Sequence, residues 1–301
     1  MTEPMTVGDL LDTAERVLKD STAIFEDHDN RREAEDLMGH CLHLDADELD
    51  LEESLPRRTR EHFLSLVARR AAGEPLPILV GRIMFYGLDL KVRAGAFIPR
   101  PSSELLVARA ARVLRRRKAP VVVDACTGAG PIAIALADEF PNAQVWGTDI
   151  SDEGLSQGRM NARRLSLDNV KFRKGDMYGA LPDAVRGTVD VVTAHVPYVP
   201  PDELDDLPRE VKDFEPIYTL TDESGDGLDL MRRAIREAPD WLKPGGWLLL
   251  EMSEDISHNA QKMCGGAGFE DKGVASDNDG LSVVVEAMLP KKGPRKTSAV
   301  L

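Results

Sequence analysis

The chain has 301 residues, 42% of them hydrophobic and 30% charged, with a formal net charge of −14. That length admits two domains, each with its own core. The acidic excess argues against a nucleic-acid partner, which needs clustered Lys and Arg to neutralise phosphates, and no apolar run approaches the ~20 residues that span a bilayer.

The stretch Met1 to Asp20 lacks the basic and apolar blocks of a secretory signal. Cys41, Cys126 and Cys264 lie far apart, with neither metal-ligand spacing nor an even count for a disulfide framework. A reduced, cytoplasmic protein without a metal site is expected. The dense basic runs are Arg112 to Lys118, read as the end of an exposed helix, and Lys291 to Lys296, read as part of a disordered tail over 291–301.

The first segment, 1–74, reads as a helical domain. Val7, Leu10, Leu11, Ala14, Val17 and Leu18 recur at helical spacing, as do Ala34, Leu37, Met38, Cys41 and Leu42. Phe63, Leu64, Val67 and Ala68 mark a third helix ending near Gly73. Nothing in these helices carries chemistry, so packing, oligomerisation and partner recognition all stay open. Residues 75–104 form a β-rich connector, with Ile83, Phe85, Leu88, Leu90 and Val92 in short strands around a turn at Gly87. It ends in Ile98-Pro99-Arg100-Pro101, which the prolines hold extended, and Ser102 or Ser103 is placed to cap the next helix.

From 105 to 290 strand and helix alternate. Strands are expected at Val121–Ala125, Gln144–Thr148, Val170–Arg173, Val189–Ala194, Trp247–Leu250 and Leu281–Ala287. Helices are expected at Pro131–Glu139, Leu155–Leu165, Leu228–Leu242 and Ile256–Cys264, with a turn at Lys243-Pro244-Gly245-Gly246. This is the pattern of an α/β, Rossmann-like domain: a mostly parallel sheet with helices on both faces. Ligands of such sheets bind beyond the carboxyl ends of the strands.

Candidate chemistry sits at those ends. The strand Val121–Ala125 runs into Cys126-Thr127-Gly128-Ala129-Gly130 and then a helix, a loop that lets a ligand approach the backbone. Gly128, Gly130 and Ala133 also satisfy a dinucleotide fingerprint, so an NAD-type ligand is formally open. Charge argues against it. Asp124 precedes the loop and would repel a pyrophosphate, whereas it suits a cationic amine or sulfonium. The second strand delivers Asp149 and Ile150, a carboxylate placed for ribose hydroxyls. The third delivers Asp176, able to accept from an adenine amino group, and Met177, able to pack on the ring. The fourth ends in His195-Val196-Pro197-Tyr198, a polar residue ahead of a rigid Pro-aromatic turn. Phe214-Glu215-Pro216 and Gly225-Asp226-Gly227-Leu228 either line the same cleft or turn the chain.

Taken together, these segments resemble the protein N5-glutamine methyltransferases that modify peptide-chain release factors. The resemblance runs from about Ala34 to Ala287 and rests on Ile98-Pro99-Arg100-Pro101 with Glu104, the Asp124 to Gly130 loop and Asp149. Phe214-Glu215-Pro216, Asp226-Gly227-Leu228 and Pro244-Gly245-Gly246 with Glu251 also match. It implies a helical N-terminal domain that helps dock the release factor, a β-hairpin connector, and a class I methyltransferase domain. It further implies S-adenosylmethionine contacts at Cys126 to Gly130, at Asp149 and at Met177, where the family usually has an aromatic residue.

Two positions depart from the family. Its loop begins with glycine where this chain has Cys126, and its active-site Asn-Pro-Pro-Tyr stands here as His195-Val196-Pro197-Tyr198. In the family the Asn side chain and a following carbonyl hold the substrate amide. Val196 keeps the carbonyl, and His195 offers a ring nitrogen as acceptor or as general base. The expectation is therefore methylation of a protein nitrogen, with a release-factor glutamine as favourite. The alternatives are a different protein or small-molecule acceptor, and a non-catalytic cofactor-binding relative.

Overall fold

The computed structural model describes residues 5–24, 29–276 and 282–291. Among them α1 (Val7–Lys19), α2 (Asn30–Leu42), α3 (Arg57–Ala71) and α4 (Leu76–Val80) come first. β1 (Arg82–Phe85), β2 (Leu88–Lys91) and α5 (Glu104–Leu114) follow. Then come β3 (Val121–Ala125), α6 (Pro131–Glu139), β4 (Gln144–Asp149), α7 (Asp152–Arg164), β5 (Val170–Lys174) and β6 (Val189–Ala194). The last elements are α8 (Arg209–Lys212), α9 (Asp229–Trp241), β7 (Leu242–Met252), α10 (Glu254–Gly266), β8 (Glu270–Ser276) and β9 (Val283–Met288).

The chain divides into two units. The first comprises residues 1–82, 92–94 and 205–215, the second 83–91, 95–204 and 216–301. In the first, Thr6 caps α1 through a reciprocal pair of bonds with Asp9, satisfying donors that the first turn leaves free. The apolar stripes of α1, α2 and α3 then share one core of Val7, Leu10, Leu11, Leu37, Met38, Phe63, Leu66 and Val67. Full burial of each such side chain stabilises by about 1.5–3 kcal/mol. A fourth helix, α4, occupies the start of the expected β-rich stretch; Leu76 and Leu79 pack on the helical core, and Gly81 ends it in a left-handed cap.

Arg70 is the unusual member of this unit, only 1% exposed. Its guanidinium holds Glu33 through two bonds of 2.8 and 3.0 Å and Glu210 through a third of 2.8 Å. Desolvation works against the charge, while the hydrogen bonds and the two carboxylates favour it, and the net effect raises the Arg70 pKa.

In the second unit the strand order is β5-β4-β3-β6-β7-β9-β8. β3 to β7 run parallel, and β9 and β8 add antiparallel. Alternate residues serve opposite faces. Val123, Val192, Leu248 and Leu250 pack with α9 and α10, whereas Val122, Val191 and Leu249 pack with α5, α6 and the β1–β2 hairpin.

Several expectations need correction. β8 was not foreseen, because Glu270–Ser276 is an edge strand that is largely exposed and shows no apolar run. The Lys243–Gly246 turn is instead a bulge within β7, since Val189 pairs with Leu242 but Val191 with Trp247. Ser103 occupies the cap position of α5 without capping it, its hydroxyl being drawn to Glu251. Arg117 of the basic run pairs with the buried Asp190 at 3.0 Å. Leu281 and the tail beyond Lys291 lie outside the described residues.

Candidate active site

The strand order reverses direction between β3 and β6, and a crevice at such a switch point is where open α/β sheets bind ligands. Ala125 pairs with Ala194 and with Thr148, so the loops leaving β3, β4 and β6 start side by side. Candidate residues scattered from Asp124 to Tyr198 in sequence thus gather along one sheet edge.

The loop after β3 is conformationally unusual. Cys126, Gly128 and Gly130 all have positive φ, 55°, 55° and 77°. Glycine is required at Gly130, where a Cβ would stand 2.4 Å from the Phe172 ring. Cys126 takes the left-handed conformation despite its Cβ, a conformation that glycine adopts without that steric cost. Its Sγ lies 3.8 Å from Met177 Sδ, and burial pushes the thiol pKa up strongly.

Asp124 does not open onto the loop as a free carboxylate. It sits on the inward parity of β3 at 1% exposure, accepting from the hydroxyls of Thr127 and Thr193. Burial raises its pKa to about 7, against the lowering effect of those hydroxyls and the Ala133 N–H. The side chain braces the loop from below.

Asp149 ends β4 and accepts from the backbone N–H groups of Gly128 and Ser151, each at 2.8 Å. Burial raises its pKa, and those backbone bonds oppose the rise. Ser151 caps α7 by accepting from Gly154 N. Beside Asp149, Ile150 is 54% exposed and offers apolar surface. Met177, by contrast, is buried in the sheet core, so its surface is largely taken by protein. Asp176 pairs with Arg233 of α9 at 3.0 Å, a partner that its sequence neighbourhood does not reveal.

His195 begins the segment after β6. Its ring stacks on Tyr198 with centroids 5.9 Å apart and meets the edge of Phe97 at 5.6 Å. Burial, followed by the nearby Glu251 charge, pushes the Tyr198 hydroxyl up to about 12. Val196 and Tyr198 pack on the sheet core, and Val199 N donates to Leu220 O at 2.9 Å, fixing the segment.

Sequence reasoning noted Glu251 without giving it a role. Ala194 pairs with Leu250, so His195, the first residue past β6, comes level with Glu251 near the end of β7. The usable signal was an acid closing the apolar run Trp247 to Leu250, at another carboxyl end of the sheet. Ser103, Ser282 and Phe97 carried no such signal, being brought in by tertiary packing.

These features fit a cationic nucleoside cofactor. A left-handed small-residue loop offers close backbone approach, Asp149 ends the neighbouring strand, and acids predominate along the edge. Residues 116–279 match the family described as a methyltransferase domain. A methyltransferase from Pyrococcus furiosus shares the fold with a TM-score of 0.50 at 19% identity, over 68% of this chain and 90% of that one. The second unit is thus a class I methyltransferase domain, and the protein is an S-adenosylmethionine-dependent methyltransferase. Residues 9–81 match the PrmC N-terminal domain. The release factor glutamine methyltransferase of Thermodesulfovibrio yellowstonii is 32% identical over 262 residues, covering 85% of this chain and 91% of that one. Those of Geobacter sulfurreducens and Streptomyces coelicolor are 37% and 39% identical, covering 73% and 64% of this chain and 75% and 67% of theirs. The chain belongs to the release factor glutamine methyltransferase family.

Proposed function

We propose that this protein methylates the side-chain nitrogen of a glutamine in a peptide-chain release factor. The observation that carries this reading is the pairing of Ala125 with Ala194, which sets the His195 to Tyr198 segment beside the Cys126 to Gly130 loop. S-adenosylmethionine, when bound, supplies a methyl group on a positively charged sulfur. The loop Cys126, Thr127, Gly128, Ala129 and Gly130 would hold its methionine end, with Asp124 bracing from beneath. Asp149 would accept from the ribose hydroxyls, and Ile150 and Asp176 would border the base.

An amide nitrogen is a weak nucleophile because its lone pair is delocalised. Two acceptors, a ring nitrogen of neutral His195 and the Val196 carbonyl, would orient its two N–H bonds and aim the nitrogen at the methyl carbon. Pro197 and Tyr198 fix that geometry. Methylation would displace one proton from that nitrogen, and it would leave to water along one of the two hydrogen bonds that orient the amide. The helical unit serves as the docking module for the release factor, and the reaction belongs to the cytoplasm. The free thiols of Cys41, Cys126 and Cys264 support that location.

His195 in place of asparagine also favours a second reading, in which the same cofactor serves a different protein or small-molecule acceptor. Incubation with labelled S-adenosylmethionine and a purified release factor, followed by peptide mapping, separates the two. Label on a single glutamine is expected. Absence of label, with cofactor binding intact by calorimetry, would rule out this substrate and favour the second reading.

A further inference from the structure

Nδ1 of His195 faces two groups, Glu251 Oε2 at 3.4 Å and Ser103 Oγ at 3.5 Å. Glu251 is 2% exposed. Its Oε1 accepts from three hydroxyls, Ser103 at 2.9 Å, Ser282 at 3.1 Å and Ser102 at 3.4 Å. Its Oε2 is buried and receives no hydrogen bond among the described residues. A carboxyl oxygen that collects three O–H donors is acting as an acceptor, and the orphaned oxygen calls for a donor of its own.

Ser103 settles which way the ring must be protonated. A hydroxyl has one proton, and that proton goes to Glu251 Oε1. Toward His195 the Ser103 oxygen therefore has only lone pairs to offer. Both groups before Nδ1 are acceptors, so Nδ1 must be the donor, and the neutral ring is left with its lone pair on Nε2. The 3.4 Å separation is longer than a formed N–H···O bond, and contacts of this kind shorten when substrate closes a site.

We infer that Glu251 is a positioning residue that holds His195 as its Nδ1–H tautomer and so presents Nε2 as the hydrogen-bond acceptor for the methyl-accepting nitrogen. The three serines aim the carboxylate, and the edge of Phe97 and the face of Tyr198 confine the ring. The catalytic consequence rests on the methyl-transfer reading above; the tautomer does not. The arrangement accounts for how histidine can stand where an asparagine oxygen is the family's solution. Each can present an acceptor lone pair to the substrate, but the imidazole needs a partner to choose which nitrogen carries it.

The test is long-range proton–nitrogen NMR on the full chain labelled with ¹⁵N-histidine, with His195 assigned by its loss in His195→Asn. The expected spectrum has Nδ1 protonated and Nε2 bare in neutral His195, and Glu251→Gln abolishes that preference. A wild-type ring protonated on Nε2 would overturn the proposal, whatever the acceptor proves to be, since this reading needs no substrate. In turnover, Glu251→Gln should lower kcat about 10²-fold with little change in KM for the cofactor. Glu251→Asp should recover part of the loss. In the His195→Asn background the same Glu251→Gln change should cost less than about threefold, because no tautomer remains to be chosen. An equal loss in both backgrounds would show Glu251 to be merely structural and defeat the inference.

Discussion

Gly227 lies directly against the backbone of Tyr198. A Cβ at Gly227 would stand 2.7 Å from the Tyr198 carbonyl oxygen and 2.9 Å from Pro200 N, and its φ is +67°. The Gly225 to Leu228 turn therefore supports the His195 to Tyr198 segment from behind, backbone on backbone. Gly227→Ala must displace that segment or strain the turn. A shift of about 1 Å at reacting groups costs roughly 10²-fold in rate. We expect kcat to fall by that order while calorimetry finds cofactor affinity within about twofold of wild type.

Asp149 is predicted to govern cofactor affinity. Hydrogen bonds to a charged group contribute about 1.5–3 kcal/mol. Asp149→Ala removes the proposed ribose acceptor together with the brace on Gly128 N, so the dissociation constant for S-adenosylmethionine should rise by roughly 10- to 100-fold. Unchanged affinity by titration calorimetry would remove Asp149 from the cofactor site.

His195→Asn should preserve or raise methylation of a release-factor glutamine, since asparagine supplies an acceptor without a tautomer to select. A fall of about 10²-fold on that substrate would instead mark His195 as a general base. Initial rates with labelled cofactor decide between them.

Asp124 gives a pH signature in stability. Burial raises its folded-state pKa to about 7, above an unfolded value of about 3.9. The native state thus keeps this proton to higher pH than the unfolded chain does. The associated stability is complete below about pH 4 and is lost as pH rises through about 7, by an amount on the order of a few kcal/mol. Asp124→Asn has no such titration, so its melting temperature should gain on wild type between about pH 4 and pH 8. A difference that stays flat with pH would refute this.

Arg70 in the helical unit is predicted to matter for stability alone. Arg70→Met removes the guanidinium that pairs with the buried Glu33 and Glu210. Breaking a buried ion pair in this way costs about 3–5 kcal/mol, readable as a lower urea midpoint with the slope unchanged.

The strands β3 and β6 were legible because buried parallel strands are near-continuous runs of Val and Ala, as in Val121–Ala125 and Val189–Ala194. The exposed edge strand β8 and the short α4 were not, because neither shows a strong apolar period. The placement of the Cys126 to Gly130 loop and of Asp149 at neighbouring strand ends was legible too, since each directly follows or closes an apolar strand.

By itself the sequence determined which strand ends carry polar groups, that a resemblance to release-factor methyltransferases runs through most of the chain, and that histidine replaces the expected asparagine. Which groups those side chains meet was decided only by tertiary structure. Asp124 turned inward to Thr127 and Thr193, and Asp176 found Arg233 on a distant helix. Glu251 came to lie beside His195 because β6 and β7 are parallel and in a register that pairs Ala194 with Leu250. A local pattern fixes the direction in which a side chain leaves its own strand. The neighbour it meets depends on strand order and register, which are properties of the whole sheet.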